Sequence, residues 1–207
     1  MGDASAGRKK IEMDAEKRKH ALRAYLVFRV KLIEFLDMAG LEKLLRQNQL
    51  QPQNPVGRQP KDFADSLNTV LISWFALFVD RNGMNVIKLW KELFPDRKDE
   101  IQRSWQRMEP AWQVIRKFRN KAGFHADKPR AFFNARSEKS KNQEMISNAL
   151  AEFQTLQQSI LNAEQTELPD FPAAVDAFLD EEESKGHTKN RAGFKRYLMI
   201  ADSKPSV

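Results

Sequence analysis

The chain contains no cysteine. Disulfides, thiolate metal sites and cysteine nucleophiles are therefore excluded, and a reducing compartment is expected. Histidine is scarce as well. His20, His125 and His187 lie too far apart to give a metal-ligand spacing, and no HExxH or EF-hand pattern occurs. Glycine-rich phosphate loops are also missing, so neither a metal nor a cofactor is expected. The longest apolar run, Val70 to Val79 (VLISWFALFV), is far shorter than the roughly 20 residues that a bilayer-spanning helix needs. The N-terminus, MGDASAGRKKIEMDAEKRKH, has no apolar centre of the kind a secretory signal requires. These absences lead to the expectation of a cytoplasmic protein without a membrane partner.

Period-two alternation is missing too, which excludes convincing strands, and no repeat of 20 to 50 residues is found. What is present is helical periodicity. The chain has 207 residues and is 41% hydrophobic, enough for a real core. Residues 8–38 carry Leu22, Tyr25, Leu26, Leu32, Ile33 and Leu36 on one face, with Gly40 as the expected stop. A short amphipathic piece, 41–50, and a proline-rich loop, QPQNPVGRQP (51–60), follow. The segment 62–80, with Phe63, Leu67, Val70, Leu71, Trp74, Phe75 and Phe78, reads as the central helix. Arg81-Asn82-Gly83 supplies turn chemistry, and 86–94 is a short helix stopped by Pro95.

The segment from 96 to about 126 carries a stripe at Ile101, Trp105, Met108, Trp112, Ile115, 119 and Ala122. The steps alternate four and three, as a sustained core seam requires. Pro110 lies off that stripe and is expected to kink the helix or begin a new one. Residues 143–161 are amphipathic through Ile146, Leu150, Phe153, Leu156 and Ile160. The predicted fold is all-α: a bundle of four or five long helices over 1–165, with a short helical C-terminal appendage over 166–207. The appendage runs from the acidic patch 180–183 to a basic end that could meet nucleic acid, a membrane surface or a partner.

Charge is unevenly placed. Between Gln113 and Lys141 stand nine Lys or Arg against Asp127 and Glu138, a net of +7, which equals the excess of the whole chain. A local basic field of this kind attracts phosphates or acidic surfaces, although a solvated loop has the same composition. The seam itself is interrupted within this segment, because position 119 is Arg. A guanidinium on a core stripe needs an anion, a wet cleft or a partner carboxylate. His125 lies six residues on, about 120° around a helix, with Ala122 midway and Gly123 beside it. Arginine and histidine flanking a small-residue notch suit a phosphodiester: Arg119 can hold the phosphate bidentately, and His125 can move a proton near neutral pH. Asn120 can orient either group. In RNA the 2′-hydroxyl is a built-in nucleophile.

Arg119-Asn120, four intervening residues and His125 resemble the signature of the HEPN superfamily (higher eukaryotes and prokaryotes nucleotide-binding). The resemblance rests on about ten residues and the all-α outline. It implies a metal-independent endoribonuclease of phage defence, abortive infection or a toxin–antitoxin system, acting as a homodimer with both motifs in one cleft. It implies Arg119 and His125 as the catalytic pair, supported by Asn120. Arg116, Lys117, Lys121, Lys128, Arg130 and Arg136 would guide RNA, and an antitoxin or other defence protein would be a partner. A tyrosine that some toxin members carry two residues after the histidine is replaced here by Asp127.

Other readings stand beside this one. Arg119 could pair with a carboxylate from another helix and His125 could be a polar helix end, leaving a non-catalytic nucleotide- or RNA-binding module. A helical scaffold meeting an acidic protein is a third. His20 and His187 are expected to face solvent, and Trp74, Trp105 and Trp112 to serve the core. Phe132 and Phe133 could stack on bases or anchor a short helix.

Overall fold

The computed structural model describes residues 3–47, 49, 59–80, 85–123, 142–187 and 190–199, with backbone only for 3–14, 118–123, 165 and 197. Among the described residues there are seven α-helices and no strand. They are α1 (Asp3–Arg46), α2 (Pro60–Phe78), α3 (Val86–Leu93), α4 (Lys98–Gly123), α5 (Gln143–Glu167), α6 (Phe171–Ser184) and α7 (Arg191–Met199). A single 3₁₀ turn, Pro95–Arg97, leads into α4. The all-α expectation is met. None of the described helices is long and apolar enough to cross a membrane. Of the loop expected at 51–60, residues 51–58 lie outside the described residues, as does the turn at 81–83, and Pro60 is the first residue of α2.

The core forms because the helical stripes face inward together. Phe153 of α5 is its hub. Its ring lies 5.3 Å from Phe35 of α1, 5.5 Å from Phe75 and 5.6 Å from Phe78 of α2, and 5.6 Å from Trp90 of α3. Edge-to-face and offset stacking at these distances add to the gain from burial alone. On α4 the seam residues Ile101, Trp105, Met108, Trp112 and Ile115 are all buried. The helices beyond 166 contribute Leu168, Phe171, Val175, Leu179 and Leu198 to the same core.

Two helix boundaries differ from expectation. Gly40 does not stop α1, which continues for a turn and a half and absorbs most of the separate piece expected at 41–50. Glycine costs a helix about 1 kcal/mol relative to alanine. Here burial of Leu45 offsets that cost, and Arg46 ties the last turn to Glu42 and to Asp65 of α2. A Cβ at position 40 would meet nothing within 4 Å. Gly40→Ala is therefore expected to stabilise the protein by about 0.5–1 kcal/mol, read as a higher urea midpoint at unchanged slope. Pro110 neither begins a helix nor divides one: α4 is a single helix through it. Pro110 is on the exposed face, where water can serve the carbonyl that loses its amide partner.

The short α3 is fixed at its start by Asn85. The Asn85 side chain accepts from the amides of Ile87 (2.9 Å) and Lys88 (3.3 Å) and donates to the Val79 carbonyl (3.1 Å). One buried amide thus caps α3 and ties it to the end of α2.

The C-terminal helix is held by ion pairs to α6 and by Phe194, Leu198 and Met199 packing on the core. Asp176 of α6 accepts from Lys195 (2.7 Å), and Arg191 bridges Asp176 (3.4 Å) and Asp180. Leu198 is the fully buried anchor beneath. The basic end is therefore partly neutralised by the acidic helix before it. Between the two helices, Gly186 (φ +73°) closes α6. Its amide bonds to the Glu183 carbonyl and that of His187 to the Glu182 carbonyl, each at 2.9 Å. Surface ion pairs are individually weak and salt-screened, and a nine-residue helix is marginal alone. Trypsin is expected to cut at Arg191 and Lys195 several-fold faster in 0.5 M NaCl or in Asp176→Asn, while α4 stays protected. The Lys195 ammonium, and then Arg191, hold the Asp176 carboxyl below its usual range. A depressed folded pKa gives stability that is present above the ordinary Asp value and lost as pH falls through the lowered one. Docking of α7 should therefore fade below about pH 4, seen as lost helicity in circular dichroism.

Candidate functional site

The first residues of the predicted site, Arg116 to Lys121, lie on the C-terminal end of α4. That helix is positioned by its apolar seam and by charged contacts along its flank. Arg97, in the turn before it, bonds to Glu167 (2.7 Å), Glu100 (3.1 Å) and Ser159 (3.0 Å), fastening the start of α4 to α5. Halfway along, Arg107 pairs with Glu152 of α5 (2.5 Å). That contact holds the Glu152 carboxyl below its usual range.

The last described turns of α4 carry the first part of the predicted site. Arg116 and Lys117 are exposed. The backbone at Arg119, Asn120 and Lys121 is helical, and counting the seam onward from Ile115 reaches position 119. The side chains of Arg119, Asn120 and Lys121 lie outside the described residues, as do His125, Asp127, Lys128, Arg130, Phe132, Phe133 and Arg136. Of the histidines expected to face solvent, His20 and His187 both do, and His187 Nδ1 lies 2.9 Å from the Glu182 carboxylate.

Arg119 is not the only arginine that apolar spacing sets on a stripe position. Arg29 lies on the α1 stripe between Leu26 and Leu32 and is fully buried. Its Nε donates to both oxygens of Glu164 on α5 (3.1 and 3.0 Å), and its Nη2 donates to Oε2 at 2.6 Å. The Tyr25 hydroxyl donates to the same carboxylate. The Phe171 ring lies 5.0 Å from the centre of the guanidinium. The network binds α1, α5 and α6 together. Burial pushes the Glu164 carboxyl up, and the Arg29 and Tyr25 contacts pull it back. Burial, reinforced by the Glu164 charge, pushes the Tyr25 hydroxyl well above its usual value. The sequence reasoning missed this group. The signal was the same one that marked Arg119: a guanidinium at i+3 and i+4 from core residues.

A shallow cleft of about 370 Å³ opens between α1 and α3, walled by Ala21, Ala24 and Leu89 and edged by Glu16, Lys17, His20 and Glu92. None of the residues of the predicted site lines it. Among the described residues, no group of three or more His, Asp or Glu could hold a metal ion. No protein-family model, curated protein or solved structure matches the chain.

Proposed function

We propose that the chain is a metal-independent endoribonuclease of the HEPN type, working as a homodimer in phage defence, abortive infection or a toxin–antitoxin system. The observation that carries the reading is the Arg119-Asn120-x4-His125 spacing. Arg119 and Asn120 belong to α4, whose seam is buried from Ile101 to Ile115, and the same four-residue step along the sequence leads from Ile115 to position 119. The all-α architecture and the exposed Arg116 and Lys117 support it.

In the proposed reaction the RNA 2′-hydroxyl oxygen attacks the adjacent phosphorus. His125 moves a proton at the attacking or leaving oxygen, and Arg119 offsets the charge growing on the phosphate. The P–O5′ bond breaks, leaving a 2′,3′-cyclic phosphate and a 5′-hydroxyl. Asn120 orients the phosphate or the imidazole. Arg116, Lys117, Lys121, Lys128, Arg130 and Arg136 hold the backbone of the strand, so binding weakens steeply with salt. The test is incubation of RNA with the purified protein in EDTA. Cleavage to cyclic-phosphate ends is expected, and intact RNA after prolonged incubation would refute the enzyme reading.

A second reading is a non-catalytic module of the same type that binds a nucleotide or RNA, or docks on a partner such as an antitoxin. The Arg29–Glu164 pair favours it, because this bundle does satisfy one seam arginine internally. It predicts salt-sensitive RNA binding without turnover, and only partial loss of binding in His125→Ala.

A further inference from the structure

The seam that buries one side of α4 leaves a second line on the opposite side. Arg103, Gln106, Pro110, Gln113 and Lys117 follow steps of three and four residues and fall within about 80° of the helix circumference, away from Ile101 to Ile115. Arg103, Gln106, Pro110 and Lys117 are exposed, and Gln113 is half-buried. The flanks of the line are already engaged. On one side Gln102 accepts from Lys91 of α3, and on the other Arg107 takes the Glu152 carboxylate of α5. At the start of α4, Arg97 meets Glu100 and Glu167. Along the line itself the side chains are unengaged: among the described residues, Arg103, Gln106, Gln113 and Lys117 have no hydrogen-bond or ion-pair partner. From Arg103 to Lys117 the line holds no carboxylate.

We infer that this line is a track for the sugar–phosphate backbone of a single-stranded RNA, running from the Arg119 end of α4 back to Arg103. The inference rests on the reading of Arg119 and His125 as a site that takes RNA, and it adds Arg103, Gln106 and Gln113 to that site. Unpaired cations joined by neutral donors suit a polyanion, which exchanges its counterions for them. Arg103 and Lys117 lie about 21 Å apart along the axis, the length of about six phosphates at a stacked spacing of about 3.4 Å. The line is straight and one helix wide, which suits one backbone, whereas an RNA duplex is met across successive grooves. The glutamines select RNA over DNA. An amide donates to a phosphate oxygen and also accepts from a 2′-hydroxyl, while Lys and Arg only donate. Asp99, one turn before Arg103 and exposed, ends the track, because a carboxylate repels the next phosphate.

Fluorescence anisotropy of labelled strands of about 20 nucleotides tests it, across a range of NaCl concentrations. Every chain carries His125→Ala, so that the RNA stays intact during the titration. Arg103→Ala should weaken RNA binding several-fold and reduce the salt slope by about 0.7, the share of one phosphate on a single strand. Gln106→Ala with Gln113→Ala should weaken RNA binding roughly three- to tenfold and leave single-stranded DNA of the same sequence almost unaffected. Lys43→Ala, at an exposed position of α1, should change nothing. Circular dichroism confirms that each variant is folded. Unchanged RNA affinity and salt slope in Arg103→Ala would overturn the track, as would a loss in Lys43→Ala as large as that in Arg103→Ala. An equal loss on RNA and DNA in the glutamine variant would overturn the selection of RNA. A chain that binds no RNA would overturn the track together with the reading beneath it. Cleavage by the native chain in EDTA is scored separately, so a failed track with cleavage intact leaves the nuclease reading standing.

Discussion

His125→Ala is expected to lower RNA cleavage in EDTA by about 10²–10⁴-fold, the usual worth of a positioned proton-transfer group. Arg119→Ala should cost about 10²–10³-fold, comparable to removing one stabiliser of developing oxyanion charge. Arg119→Lys should restore little, because an ammonium cannot reproduce the planar two-pronged grip on a phosphate. If the two residues act as a unit, the double variant should be scarcely worse than the worse single one. Arg116→Ala and Lys117→Ala are the contrast. Both side chains are exposed, and each should weaken binding while reducing the salt slope by about one, with the rate on bound RNA unchanged. Undiminished cleavage in both His125→Ala and Arg119→Ala, with each variant purified as the native protein was, would remove these residues from the chemistry.

The largest effect on stability is expected at Glu164. Glu164→Ala leaves the Arg29 guanidinium buried without its counter-ion and should cost about 3–5 kcal/mol. Domains are typically stable by about 5–15 kcal/mol, so the variant should show a much lower urea midpoint or partial unfolding at 37 °C. Arg29→Met with Glu164→Leu should recover most of the loss, because a buried pair replaced by apolar groups leaves no orphan charge. Tyr25→Phe removes one donor to the carboxylate and should cost about 1 kcal/mol.

The same network sets an alkaline limit. The Tyr25 pKa is raised in the folded state, first by burial and then by the Glu164 charge. A raised folded pKa leaves stability intact below the unfolded value of about 10 and removes it as pH rises beyond. Unfolding should steepen above about pH 10 in the native chain and less so in Tyr25→Phe. Equal alkaline profiles would show that Tyr25 does not set this limit.

Read along the chain, helical periodicity located α2, α3 and α5, and with them the buried seam of α4 from Ile101 to Ile115. Phe153, Phe75 and Phe78 were marked for the core and form its aromatic centre. These assignments were legible because the spacing of apolar side chains is a local property, and a helix long enough to show it has one face to bury. The site was legible only as a spacing. Arg119-Asn120-x4-His125 can be counted along the sequence, but the groups facing those side chains cannot.

The sequence by itself determined that the chain is helical and, through apolar spacing, which side chains of α4 and α5 enter the core. Only the tertiary structure decided what the exceptions do. It carried α1 through Gly40, because Leu45 and Arg46 found neighbours beyond the expected stop. It matched Arg29 with a carboxylate 135 positions away, and gave Arg191 and Lys195 of α7 to Asp176 and Asp180 of α6. The reason is physical. Periodicity reports which face of a helix avoids water, while the fate of a charge on that face depends on which distant residue the packing brings within about 3 Å.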